Sequence, residues 1–85
     1  MEEDGQRLKA TILEVVENQL RDGDPPETRE TLDRLMREGH SEADARLLLG
    51  QVVTVEVYCM WKERKPFNRE RFVRNLKGLP AEPQE

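Results

Sequence analysis

One stretch of this chain constrains its fold more than any other. Over residues 42–64, apolar side chains fall on nearly every side of a helical projection. At about 100° per residue, Ala45, Leu48, Leu49, Val52, Val53, Val55, Cys59 and Met60 form one broad arc, while Leu47, Val57, Tyr58 and Trp61 cover much of the opposite side. A surface helix needs a single apolar stripe, so a helix apolar on both sides calls for enclosure, by the rest of the chain or by another chain. The same run also alternates like a strand, with Val53, Val55, Val57 and Cys59 set against Thr54, Glu56 and Tyr58. That reading fails for want of a partner. The chain carries no second strand pattern or hairpin turn, and a lone strand leaves its backbone groups unpaired.

The flanking segments are punctuated as helices. Leu8, Ile12, Val15, Val16 and Gln19 recur at helical spacing over residues 6–21, and Gly23 ends that run. In Asp24-Pro25-Pro26-Glu27, Asp24 reads as a cap, Pro25 suits the first turn, and Glu27 sits three residues on. Leu32, Leu35 and Met36 then make a narrow stripe that stops at Gly39. Ser41 caps the long third helix, with Glu42 and Asp44 at its positive end. Lys65-Pro66-Phe67 breaks it, and Asn68 caps a fourth helix carrying Phe72, Val73 and Leu76 and ending at Gly78. Phe67 is placed to pack on Phe72 across that cap. The expected architecture is all-α: a small four-helix bundle-like domain around a long central apolar helix 3. Residues 1–79 form the single domain and 80–85 a disordered tail. A chain of 85 residues is too short for two cores. It buries only roughly 60–65% of its unfolded surface, so burial against a partner is a natural source of further stability.

Composition narrows the function. Charged residues make up 38% of the chain and apolar ones 35%, which suits short helices with large solvated faces, while the periodic clustering of the apolar residues excludes disorder throughout. The acidic start and the lack of an apolar run near 20 residues lead us to expect a soluble, cytoplasmic protein. Cys59, the only cysteine, lies in the apolar run and reads as a small buried hydrophobe, so no intrachain disulfide is available. His40, the only histidine, falls in a turn and reads as solvated. There is no glycine-rich phosphate loop, paired-cysteine metal motif, nucleophile elbow or histidine–carboxylate set. A non-catalytic protein without cofactor or metal is the expectation.

Three features remain for function. The first is the outer set on helix 3, Leu47, Val57, Tyr58 and Trp61, an interface candidate for a homodimer or another protein partner. The second is Glu56, which projects into the core arc. A buried carboxylate needs a partner, here expected to be an arginine of helix 2 or helix 4; partial exposure and a binding role are the alternatives. The third is charge segregation. Residues 61–77 carry seven basic and two acidic side chains, a net of +5, which leaves −9 for the rest of a chain of net charge −4. Lys62, Arg69, Arg71 and Arg74, with Trp61, Phe67 and Phe72 interleaved, are candidates for binding nucleic acid or another anion. That reading is the less favoured, because the aromatics have core spacing and basic side chains on a short helix commonly pair with acidic neighbours. Gly39-His40-Ser41 superficially suggests a helix-turn-helix, but helix 3 offers leucine and valine where base recognition needs polar side chains.

Val16-Glu17-Asn18-Gln19-Leu20, Asp24-Pro25-Pro26-Glu27, Arg34-Leu35-Met36 with Gly39, and Lys65-Pro66-Phe67 together resemble a family of short bacterial all-helical proteins carrying a domain of unknown function. The resemblance runs over residues 8–79. Members of that family often carry histidines near the start of the third helix and an acidic residue later in it. Asp44-Ala45-Arg46-Leu47-Leu48 occupies the first place here without histidine, and Glu56 resembles the later carboxylate. The resemblance implies a helical fold and a bacterial cytosolic setting; if relatives hold a metal through those histidines, this chain has lost the site.

Overall fold

Four helices form where the caps and breakers place them: α1 (Glu2–Asp22), α2 (Pro26–Arg37), α3 (Glu42–Glu63) and α4 (Arg69–Gly78). The computed structural model describes residues 2–85, with side chains from residue 6 onward. Ser41 Oγ accepts the Asp44 N–H at 3.0 Å and Asn68 Oδ1 accepts the Arg71 N–H at 3.0 Å, so both expected side-chain caps are made. Gly39, at φ 106°, closes α2 by turning the chain so that the His40 N–H reaches the Leu35 carbonyl at 3.0 Å. At the end of α3 the left-handed position is filled by Arg64, φ 55°, rather than by glycine.

Two boundaries differ from the sequence reading. α1 begins at Glu2, four residues before the expected start and with Asp4 and Gly5 inside it, so tolerance of two weak helix formers extends the helix beyond its apolar stripe. Asp24 does not cap α2: Pro25 occupies the cap position without a side-chain hydrogen bond, and the Asp24 carboxylate instead faces Arg69 at 3.6 Å.

α3 packs on α1, α2 and α4, and α2 also touches all three others, whereas among the described residues α1 and α4 make no contact with one another. The core lies along the arc read from the sequence. Ala45, Leu49, Val52, Val53 and Cys59 of α3 are buried against Ile12, Val16 and Leu20 of α1, Leu32 and Leu35 of α2, and Phe72 and Leu76 of α4. Gly50 allows α1 to come close, since a Cβ there would stand 3.3 Å from Ile12 Cγ2. Phe67 packs on Phe72 with ring centroids 5.1 Å apart, the expected staple. Leu8 and Met36, placed on the apolar stripes of their helices by spacing, are exposed at 62% and 43%.

Residues of the tail make contacts back to α3 and α4. The Asn75 side-chain amide donates to the Gln84 carbonyl at 2.8 Å and accepts the Gln84 N–H at 2.9 Å, and Lys62 pairs with Glu85 at 3.0 Å. Leu79 is buried, and Arg34 of α2 donates to the Leu76 and Leu79 carbonyls at 3.2 and 2.9 Å. Those bonds satisfy carbonyls that the end of α4 would otherwise leave bare.

Candidate functional site

Glu56 sits on the core side of α3 with 3% of its surface accessible, and its carboxylate meets a ready-made set of donors. Arg71 Nε donates to Oε1 at 2.8 Å and Arg71 Nη2 to Oε2 at 2.9 Å, while the Asn68 backbone N–H donates to Oε2 at 2.9 Å. The remaining guanidinium edge, Nη1, reaches both oxygens of Glu63 at 3.0 and 3.2 Å. Glu63 lies two turns beyond Glu56 on the same face of α3, so one arginine from α4 clamps two carboxylates and fixes the turn between the helices. No buried side-chain nitrogen or oxygen is left without a partner among the described residues.

Burial alone would raise the Glu56 pKa, but the hydrogen bonds from Arg71 and Asn68 and the charge of Arg71 outweigh it and hold the carboxyl below its ordinary value of 4.5. The Arg71 pKa is raised by its bonds to Glu56 and Glu63, so the guanidinium stays charged throughout. With the folded pKa of Glu56 lowered, the unfolded chain binds more protons across the acid window. The pair's stabilisation is therefore complete above pH 4.5 and lost as pH falls through the lowered folded value. Urea melts taken at about pH 6 and about pH 3 are expected to show a smaller loss in Glu56→Gln than in the wild type. Equal losses would show that this carboxylate is not charged in the folded protein.

The expected arginine of helix 2 or 4 is thus Arg71 of α4. None of the three grooves described in this structure is lined by Glu56, and its carboxylate accepts three hydrogen bonds from within the chain. Among the described residues, no group of three or more His, Cys, Asp and Glu side chains is placed to hold a metal ion, and no helix is long and apolar enough to cross a membrane.

The basic segment is largely spent within the chain. Arg71 is buried in the clamp, Arg69 pairs with Glu27 at 3.2 Å and lies 3.6 Å from Asp24, and Lys62 pairs with Glu85 while standing 5.8 Å over the Tyr58 ring. Of the four candidate anion contacts only Arg74 projects freely. The acidic helices expected as partners for these cations do receive one of them, Arg69, and the buried clamp is supplied by α3 itself.

The outer face of α3 is open. Leu47, Val57, Tyr58 and Trp61 are 41%, 51%, 44% and 76% exposed, so the enclosure that the sequence demands is met on one side only. Leu47, Gln51, Thr54, Tyr58 and Trp61 follow one another at steps of four, three, four and three residues and fall within about 80° of the helix surface. Tyr58 and Trp61 already touch, with ring centroids 6.4 Å apart. Along this stripe, α1, α3 and the tail residues Glu82 and Pro83 line an open groove of about 560 Å³ that includes Leu8, Ile12, Leu13, Leu47 and Gly50. A second groove of about 390 Å³ shares Lys9, Leu13 and Leu47 and continues toward the start of α3. Sequence reasoning found the four outer apolar residues but not the groove, whose signal lay in Leu8 and Gly50.

No family model, curated protein or solved structure matches this chain.

Proposed function

We propose that this protein is a non-catalytic helical interaction module, which docks another helix on the outer face of α3 and the α1–α3 groove beside it. The observation that carries this reading is the exposed stripe Leu47, Gln51, Thr54, Tyr58 and Trp61, whose alternating steps of four and three residues are those of a helix–helix seam. A face on which Leu47, Tyr58 and Trp61 stand exposed costs solubility, and clusters of exposed apolar side chains mark interaction surfaces. A bacterial, cytoplasmic setting is consistent with the single buried thiol, Cys59, which forms no disulfide. The alternative of nucleic-acid binding through residues 62–77 loses support, because three of its four basic contacts are already paired within the chain.

A photo-crosslinking residue placed at Tyr58 and activated in living cells tests the reading. A discrete protein adduct is expected from Tyr58 and none from the same residue placed at Arg29 on the far, polar side of α2. No adduct at Tyr58, or equal adducts at both positions, would remove the proposal.

A further inference from the structure

Resting on that reading, we infer that the helix docked on this face is α3 of a second copy of the same chain, running antiparallel about a two-fold axis at Thr54. Two observations converge on this arrangement.

The stripe is self-complementary. Thr54 is its midpoint, Leu47 and Trp61 lie equally far from it on either side, and Gln51 and Tyr58 nearly so. In an antiparallel pair Trp61 of one copy meets Leu47 of the other, Gln51 meets Tyr58, and Thr54 meets Thr54. The seam from Leu47 to Trp61 is about 21 Å long. Its middle is small enough for close approach, since the Thr54 hydroxyl is already satisfied by the Gly50 carbonyl at 2.9 Å. Leu47 stands where the two α1–α3 grooves join, so the 76% exposed indole of Trp61 arrives at a cavity able to take it.

The ends of the stripe carry opposite charge. Asp44 precedes it and Arg64 and Lys65 follow it, and none of the three has an ion pair among the described residues. Asp44 and Arg64 are equidistant from Thr54. An antiparallel copy therefore sets acid against base at both ends, whereas a parallel copy sets like on like.

Single cysteines at chosen points of purified full-length chain test this directly, with buried Cys59 left in place. Under mild oxidation Thr54→Cys is expected to give a disulfide-linked dimer and Leu47→Cys alone none, while a mixture of Leu47→Cys and Trp61→Cys chains yields the mixed dimer. Charge supplies a second reading: Asp44→Arg and Arg64→Asp should each weaken association at low salt at least about threefold, and the double variant should restore it. A dimer formed by Leu47→Cys alone would show a parallel pair and overturn the inference while leaving self-association standing. Failure of Thr54→Cys to link, or a chain that stays monomeric, would overturn it even where the Tyr58 adduct has established docking of a different protein.

Discussion

Replacing Glu56 by alanine is expected to cost roughly 3–5 kcal/mol of folding stability. The carboxylate has 3% of its surface accessible and holds three hydrogen bonds, two from Arg71 and one from the Asn68 backbone. Its removal leaves a guanidinium facing the core with Glu63 as its only counter-ion, and leaves the Asn68 N–H at the end of the α3–α4 turn untethered. A domain of this size has a total stability of about 4–13 kcal/mol, so the variant stands near the edge of folding. Glu56→Leu combined with Arg71→Met is expected to recover much of the loss, because both charges are then gone and the volume is kept. Urea denaturation at neutral pH measures both. A loss below about 1 kcal/mol for Glu56→Ala would place the pair among exposed ion pairs and contradict its role as the pin between α3 and α4.

The second large effect lies on the opposite side of the same helix. Trp61→Glu is expected to weaken self-association at least about a hundredfold while leaving helicity and the urea midpoint of the monomer nearly unchanged. A tryptophan at the end of a two-fold seam is counted twice, and buried interface tryptophans carry about 2 kcal/mol or more each, so loss of both, with a carboxylate in their place, is more than a hundredfold. The monomer does not depend on it, since Trp61 is 76% exposed and touches chiefly Tyr58. Sedimentation across a concentration series together with circular dichroism separates the two readouts. A variant that unfolds would show that the indole supports the monomer; unchanged association would move the interface elsewhere.

These two predictions divide α3 into the halves that its sequence already outlined. The core arc, the caps Ser41 and Asn68, and the packing of Phe67 on Phe72 were legible because each is a local pattern: helical period, a short polar acceptor, and an aromatic placed just before a cap. The partner class of Glu56 was legible as well, since a carboxylate in a core arc has few ways to be satisfied. That the partner is Arg71, shared with Glu63, was not, because register between α3 and α4 depends on the tertiary path of the Lys65–Asn68 turn. The same reason hid the return of the tail. Asn75 and Gln84 carry no periodic signal, and their reciprocal hydrogen bonds exist only once α4 is in place. Leu8 misled because spacing assigns a helical face but not how closely a neighbouring helix packs against it. It lies beside a groove rather than in the core.

The open side of α3 is the point on which the functional reading rests, and the mass of the purified chain in solution tests it most directly. Sedimentation equilibrium from about 1 to about 200 µM, a range that brackets the affinities of weak and moderate homodimers, is expected to show the mass rising from 10.0 kDa to twice that value, and Trp61→Glu is expected to remain at 10.0 kDa. A wild-type chain that holds at 10.0 kDa across the whole range would contradict pairing through Leu47, Thr54 and Trp61.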